Sequence, residues 1–428
     1  MPTNPTLRHV PGSASTAPPS PIPVAQARQL LAGLAAPALD PVEIGLHEGL
    51  QRVLAADLVA PFDVPPHDNA AMDGYALRSA DLLAGQTTRL LLAGHALAGH
   101  SFGGRLPAGG CVRITTGAVL PADCDCVVPQ EQCRVGDGAI EVDAGVVAAG
   151  SNVRRRGEDL QAGSAALRAG RLLRAADLGL AASLGIGRLP VLRRLRVGYL
   201  SSGDELRSIG PALDPGTLSD SNRHTLWAML NRLGCEALDL GLVPDDPQRI
   251  EAALLRGSEA ADVIITSGGM GMGEADHLSR TLARLGSISF CQVEMRPGRP
   301  LACGTLHHAP RPVVLVGLPG NPVAVMVAFY VLVRELLLRL MGARVAPMPT
   351  LRVRSAQPLR KRRGRTEYQR ATLQRLEDGS WQARSTGNQG SGILHSMSQA
   401  DGLLVLAPEQ GDVAAGDWLD FLPFEALA

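Results

Sequence analysis

Four glycines crowd the segment TSGGMGMGEAD, residues 266–276, which ends in two acidic residues. Glycine allows positive φ angles, so successive backbone N–H groups can turn toward one anion. A phosphate loop of the G-x-x-x-x-G-K-[ST] type would need a lysine, which is absent here. GGMGMG approximates a dinucleotide fingerprint only loosely, and it follows a late strand rather than the first one. The segment therefore predicts an anion site whose charge is balanced by a group other than lysine.

Two other loops have related chemistry, SSGDE at 201–205 and GLPGNP at 317–322. Ligands of an open parallel sheet bind beyond the carboxyl ends of its strands, and we expect all three loops there. Glu205 and Asp276 would follow two of these strands, and Asp245 would follow a third. Carboxylates beside a phosphate commonly hold Mg²⁺. Asp276 could also cap the helix that follows it, in place of or in addition to binding metal.

The spacing of apolar residues predicts the elements that position these loops. Between 194 and 343, short apolar runs alternate with amphipathic segments, which is typical of β-loop-α units and a doubly wound parallel sheet. Residues 24–59 read as two helical segments, and 158–193 as helical around AADLGLAASLGIG. Residues 88–150 and 349–424 contain short apolar runs cut by Gly, Pro and Asp, which predicts two β-rich regions.

Composition argues against several classes of function. Acidic and basic residues balance at 41 each and aromatic residues make up 3%, so neither nucleic acid nor a membrane is an expected partner. The basic run RKRRGR at 360–365 favours a solvated barrel edge, from which some arginines could serve an anion cleft. The apolar stretch at 323–333 is too short to span a bilayer and predicts a buried helix. The chain has neither an H-E-x-x-H nor a G-x-S-x-G motif.

The seven cysteines include no C-x-x-C pair. A zinc site built from Cys124, Cys126 and Cys133 is conceivable, but their spacing is not that of a ribbon or finger. Reduced structural thiols in a cytoplasmic protein are the favoured interpretation. Residues 1–21 are rich in proline and lack an apolar core, so they predict a disordered tail rather than a signal peptide.

Nine motifs occur in an order that resembles the molybdopterin molybdenumtransferases, the family that includes the gephyrin E domain. The likeness extends from about residue 22 to 424. Each motif alone is weak, but their order is specific. The motifs are NAAMDGYALR, VRITTGAVLP, RRRGEDL, SSGDEL, LGLVPDDP, SGGMGMGEAD, MRPGRP, GLPGNPVAV and TGNQGSGIL.

The resemblance implies a multidomain fold and a homodimer. It implies a helical domain I in two segments, a β-rich domain II inserted between them, an α/β pterin-binding domain III and a β-barrel domain IV. The active cleft would lie between domain III of one subunit and domain II of the other. The expected limits are 1–21 for the tail, 22–60 and 158–193 for domain I, 61–157 for domain II, 194–344 for domain III and 345–428 for domain IV.

The activity implied by the resemblance is insertion of molybdate into adenylylated molybdopterin, with release of AMP and a need for Mg²⁺. An adenylyltransferase and acceptor molybdoenzymes are candidate partners. Glu205 and Asp276 resemble the metal-binding acids of the family. Positions linked to activity are Asp73, Thr116, Asp159 and Asp245. Expected substrate-binding residues are Arg154, Arg155, Arg156, Ser221, Ser267, Gly268, Gly269, Gly271, Arg296, Pro319, Gly320, Asn321 and Ser391.

Three positions depart from the family pattern. Gln292 stands where lysine is common, Gly271 replaces a serine of the pterin loop, and Ala324 replaces another serine. A non-catalytic molybdopterin-binding scaffold, or a paralogue with altered oxyanion preference such as tungstate, therefore remains an alternative. The presence of Asp73, Glu205, Asp245 and Asp276 favours the enzyme, because a scaffold would not need these acids.

Overall fold

The computed structural model describes residues 8–9, 20–34, 39–210, 212–269, 281–282, 284–308 and 311–427, with only the backbone placed at 8–9 and 426–427. Gly271, Asp276 and most of the predicted tail lie outside these residues. The elements of the N-terminal part are β1 (Arg8–His9), α1 (Val24–Ala32), β2 (Pro41–Gly45), β3 (Leu58–Val59), β4 (Asn69–Ala70), β5 (Gly74–Leu77), β6 (Thr88–Ala96), β7 (Gly110–Ile114), β8 (Cys126–Pro129), β9 (Cys133–Gly136), β10 (Ala139–Val142), β11 (Val153–Arg154), β12 (Ala165–Leu167), α2 (Ala175–Ser183) and β13 (Arg188–Leu192).

The helical prediction for 24–59 is correct for α1 and wrong for most of the remainder. HEGLQRVLAADL forms one 3₁₀ turn, Leu46–Glu48, and then an irregular chain. Gln51 has a φ of 59°, which is incompatible with a continuing right-handed helix. The segment instead joins ribbons formed by distant residues, since β2 pairs with β13 and β3 with β12. The 158–193 region is likewise helical only in α2.

Residues 69–142 contain a six-stranded sheet with the order β8-β5-β7-β6-β10-β9. Its pairings are antiparallel except between β6 and β7. Alternate side chains point to opposite faces, so Ala76 and Val112 enter one apolar cluster while Leu77 and Cys111 enter another. The predicted β-rich region is therefore confirmed as a sheet with two packed faces.

The C-terminal part begins with an α/β arrangement and ends in a barrel. Its elements are β14 (Arg196–Ser202), β15 (Leu206–Arg207), β16 (Leu218–Ser219), α3 (Asn222–Arg232), β17 (Glu236–Val243), α4 (Pro247–Ala260), β18 (Val263–Ser267), β19 (Gly286–Gln292), β20 (Met295–Arg296), β21 (Pro300–Leu306), β22 (Val313–Leu318), α5 (Pro322–Ala328), α6 (Arg334–Leu340), β23 (Leu351–Ser355), β24 (Thr366–Arg375), β25 (Trp381–Ser385), α7 (Leu394–Ser398), β26 (Gly402–Leu406) and β27 (Trp418–Pro423).

The α/β part is a seven-stranded sheet with the order β1-β19-β21-β22-β18-β14-β17. The last four strands of that order are parallel, as predicted, whereas β19 and β21 form an antiparallel edge. Leu226 of α3 packs in the same cluster as Val263 and Ile265, while Leu254 of α4 packs with Ile264. The two helices therefore cover opposite faces of the sheet, which is the doubly wound arrangement.

The predicted barrel is present and closed. Its five strands follow the order β24-β25-β23-β27-β26, and a further pairing of β24 with β26 closes the ring. β20, which belongs to the α/β part, pairs in parallel with β24. This pairing joins the edge of the α/β part directly to the barrel.

The apolar stretch at 323–333 is buried, as predicted. It forms α5 and a π-helical segment, Phe329–Val333, which continues into α6. These residues belong to the largest apolar cluster, together with side chains of α1 and α3. Within the part of the chain that the structure describes, no helix is long and apolar enough to cross a membrane.

Candidate functional site

A cavity of about 620 Å³ lies at the carboxyl ends of β14, β18 and β22. We call it the main cavity. All three loops singled out in the sequence reach it, as does a fourth segment from the barrel, 389–391. Of the predicted residues, it is lined by Glu205, Asp245, Ser267, Gly268, Gly269, Arg296, Pro319, Gly320, Asn321 and Ser391.

Gly268 shows why glycine is needed where β18 ends. Its φ is +95°, and a Cβ built on it would lie 2.2 Å from the carbonyl oxygen of Ser202. The loops after β14 and β18 therefore approach more closely than any side chain would allow. The Gly268 N–H donates to the carbonyl of Leu318 at 3.3 Å, so this amide, expected to hold an anion, already has a partner within the protein.

Asn222 ties these loops together, and sequence reasoning missed it. Its Nδ2 donates to Ser267 Oγ at 2.7 Å and to the Gly320 carbonyl at 2.6 Å. The residue is 5% exposed, and its Oδ1 accepts no hydrogen bond from the part of the chain that the structure describes. In sequence it looked like an ordinary polar residue at a helix start. Ser221, predicted to bind substrate, is the N-cap residue of α3 and is not part of the cavity lining.

Three arginines bring positive charge to the lining of the main cavity. Arg296 and Arg299 come from the segment beside β20, and Arg365 comes from the basic run at 360–365. The residues of this run have different surroundings. Lys361 is buried and donates to the carbonyls of Arg362 and Gln410. Burial lowers the pKa of Lys361. One arginine of this run thus faces the cavity, in keeping with the hypothesis that some of them serve an anion cleft.

Arg370 organises the barrel loop that carries Ser391. It is fully buried, and its guanidinium donates to the carbonyls of Asn388, Gln389 and Gly390. Burial, with a contribution from Arg296, lowers the pKa of Arg370 to about 10. Ser391 accepts at its carbonyl from the Val323 N–H, which ties this loop to the start of α5. The loop is therefore held from both sides.

Glu205 and Asp245 contribute carboxylates to the main cavity. Its other oxygen donors include the buried hydroxyl of Ser202, which has no hydrogen-bond partner among the described residues. Mg²⁺ prefers such all-oxygen sites and commonly uses one or two carboxylates together with substrate phosphates. The described residues contain no cluster of three or more potential metal-ligating side chains. The donor set therefore fits Mg²⁺ bound together with a phosphorylated ligand.

Six predicted residues from the N-terminal part of the chain do not line the main cavity: Asp73, Thr116, Arg154, Arg155, Arg156 and Asp159. Asp73 Oδ1 accepts from Thr116 through its N–H at 2.7 Å and its hydroxyl at 2.8 Å. These two hydrogen bonds lower the pKa of Asp73. The backbone N–H of Asp159 donates to the Val64 carbonyl. Asp73 is thus a carboxylate held by two hydrogen bonds from Thr116.

The arginines of RRRGED are held by acids that sequence reasoning did not identify. Arg155 contacts Asp68 at 2.7 Å, and Arg156 contacts Asp63 at 2.6 Å. The pKa of Asp63 is lowered by hydrogen bonds from the Ala162 N–H and then the Arg156 side chain, and that of Asp68 by hydrogen bonds from the Arg156 N–H and then the Arg155 side chain. Arg154 lies in β11, which pairs with β4. An oxyanion would therefore share Arg155 and Arg156 with existing carboxylates.

The departures from the family pattern lie in different surroundings. Ala324 lines the main cavity at the start of α5. Gln292 lies in β19, where its carbonyl accepts from the Ile22 N–H, and it does not reach the cavity. Gly271 lies outside the described residues.

All seven cysteines are free thiols, and burial raises the pKa of Cys124 and Cys126 to about 12 and that of Cys133 to about 11.

Comparison with known proteins defines the class of this chain. Three family models match consecutive segments: the MoeA N-terminal region (domain I and II) at 22–185, the probable molybdopterin binding domain at 198–339 and the MoeA C-terminal region (domain IV) at 352–424. The fold is that of a multidomain protein of molybdenum cofactor biosynthesis. More particularly, the chain belongs to the MoeA family of molybdopterin molybdenumtransferases, as the sequence motifs predicted.

Individual relatives agree with this family assignment. The molybdopterin molybdenumtransferase of Haemophilus influenzae is 38% identical over 385 residues, which cover 90% of this chain and 94% of the relative. That of Nostoc sp. is 35% identical over 371 residues, or 85% of this chain and 84% of the relative. The crystal structure of the molybdopterin biosynthesis moeA protein from Pyrococcus horikoshii OT3 superposes with a TM-score of 0.78 at 26% identity, over 94% of this chain and 99% of that one.

Proposed function

We propose that this protein inserts molybdate into adenylylated molybdopterin and releases AMP in a Mg²⁺-dependent reaction. One observation carries the proposal: three glycine-rich strand ends, two carboxylates and three arginines converge on one cavity of about 620 Å³. A phosphorylated pterin and a small oxyanion are ligands whose charges match such a lining. The names of the curated relatives support the same reaction class.

The positive charge of the main cavity suits molybdate. Guanidinium groups donate parallel N–H groups to tetrahedral oxyanions, and Arg296, Arg299 and Arg365 supply them here. Ser391 also lines the main cavity and adds a hydroxyl donor. Glycine-rich backbone at Ser267–Gly269 and Pro319–Asn321 lets phosphate oxygens approach closely. Asn222 keeps these two loops at a fixed separation through its hydrogen bonds to Ser267 and Gly320.

Glu205 and Asp245 would hold Mg²⁺, together with Asp276, which lies outside the described residues. The ion would neutralise charge on the pyrophosphate, the task that a lysine performs in a phosphate loop. The all-oxygen donor set supports this assignment. The carboxylates themselves would orient the phosphate end of the substrate toward the strand ends.

The residues of the β-rich part enter the proposal through a homodimer. Asp73, Thr116, Asp159 and the arginines 154–156 lie away from the main cavity of their own chain. A second copy would bring them to that cavity, in the arrangement that the family resemblance implies. The proposal includes a cytoplasmic location, since all seven cysteines are free thiols. It also includes an adenylyltransferase and acceptor molybdoenzymes as partners.

The test is AMP release from adenylylated molybdopterin by the purified protein, with and without molybdate and Mg²⁺. We expect release only when both are present, and loss of release after EDTA treatment that added Mg²⁺ restores. Tight binding of the substrate without molybdate-dependent release would instead support the non-catalytic scaffold. Parallel assays with tungstate would reveal an altered oxyanion preference.

A further inference from the structure

A second, smaller cavity adjoins the main cavity at the junction of the α/β part and the barrel. We call it the side pocket; its volume is about 270 Å³. Arg296, Pro297 and Gln389 line both cavities, so the two lie side by side. The polar residues that line the side pocket are Glu367, Gln369, Gln357, Gln389, Tyr368, Ser385, Arg296 and Arg360.

Glu367 is the unusual residue of the side pocket. It lies in β24 and is 3% exposed, yet none of the described residues donates a hydrogen bond to its Oε1. Its Oε2 accepts from Gln369 Nε2 at 3.3 Å. The nearest cation is Arg296, whose Nη1 lies 3.7 Å from Oε1, beyond hydrogen-bonding distance. A buried carboxylate oxygen without a donor costs free energy, which a ligand with N–H groups would recover.

The chemistry of the lining selects the kind of ligand. A carboxylate accepts hydrogen bonds only, whereas the amides of Gln357 and Gln369 can both donate and accept. The amide of Gln389 is already bonded to Arg370, Ser385 and Gly387 and holds its own loop. A planar ring edge with adjacent N–H donors and a carbonyl acceptor matches this set. The 2-amino-4-oxo edge of a pterin has that pattern, and the substrate of the proposed function carries a pterin.

We propose that the side pocket binds the aminopyrimidine edge of the pterin, with Glu367 accepting from its 2-amino and N3–H groups. This inference rests on the proposed function. It places the pterin in the side pocket and its phosphate arm in the main cavity. Arg296, which lines both cavities, lies between them. Glu367 is then the residue that distinguishes a 2-amino ring from a 2-oxo ring.

The test is equilibrium binding of 6-hydroxymethylpterin and 6-hydroxymethyllumazine, in which a 2-oxo group replaces the 2-amino group, followed by pteridine fluorescence. We expect the wild-type protein to bind the pterin about tenfold or more tightly than the lumazine, because the lumazine turns a carbonyl toward a carboxylate. Glu367→Gln should abolish most of that preference. Glu377→Gln, a matched change of an exposed carboxylate in the same barrel, should preserve it.

The outcomes separate this inference from the proposed function. An unchanged pterin preference in Glu367→Gln, or no pterin binding by the wild-type protein, overturns the inference even where molybdate-dependent AMP release is intact. Absence of AMP release with a Glu367-dependent preference overturns the proposed function alone. If Glu367→Gln fails to fold in thermal unfolding, Glu367→Asp replaces it, and a reduced preference is then the expected result.

Discussion

At the scale of single residues, the site depends on polar groups whose partners come from elsewhere in the chain. Asn222 connects two loops through one amide, and Arg370 holds three successive carbonyls of the barrel loop. Glu205 and Asp245, in contrast, present carboxylates to the main cavity. The first two residues fix geometry, whereas the two acids lie where the proposed metal ion would bind.

Glu205→Gln tests the proposed metal role. The amide keeps the size of the side chain but removes the charge, so we expect the Mg²⁺ concentration for half-maximal AMP release to rise roughly tenfold or more. Glu259→Gln, on the exposed side of α4, is the matched control and should leave this concentration unchanged. An unaltered Mg²⁺ dependence in Glu205→Gln would refute the assignment.

At the scale of elements, the strand ends converge because the parallel strands β14, β18 and β22 finish at one edge. The loops that follow them can approach only because Gly268 lacks a side chain. The sequence predicted correctly that these strands are parallel and that the loops after them meet at one edge of the sheet. It predicted wrongly that HEGLQRVLAADL is helical, because local apolar spacing does not reveal that β2 and β3 pair with strands more than a hundred residues away.

Gly268→Ala is expected to destabilise the protein by at least about 1–2 kcal/mol, because alanine at a positive φ is strained and its Cβ would meet the Ser202 carbonyl. Gly320→Ala is the matched comparison in the same cavity. A Cβ at Gly320 would meet only Gly268 Cα, at 3.6 Å, so the loss should be smaller. Urea unfolding of the two variants measures the difference. Equal losses would contradict the close approach of the two loops.

At the scale of the whole molecule, the predicted residues divide into two groups. One group lines the main cavity, and the other lies in the β-rich part of the chain around Asp73 and Thr116. A homodimer that combines the two groups would contain two composite sites. Each composite site would depend on Asp73 from one subunit and Glu205 from the other.

Complementation between subunits tests that arrangement. At a Mg²⁺ concentration far below the half-maximal value of Glu205→Gln, Asp73→Asn and Glu205→Gln should each be nearly inactive alone. When the two variants are coexpressed, random pairing makes half of the dimers mixed, each with one intact site, so we expect about a quarter of the wild-type activity. Each variant paired with itself serves as the control. No regain of activity in the mixed dimers would mean that both residues act within one subunit.

The sequence by itself determined the family, the fold class and the loops that reach the main cavity. These features depend on local patterns, such as apolar alternation, glycines at strand ends and acids beside them, and such patterns can be read along the chain. Only the tertiary structure decided the roles of Asn222, Arg370 and Glu367. Each of these side chains is buried against backbone or side chains remote in sequence, and burial makes its hydrogen-bond partners, or the lack of one, energetically decisive.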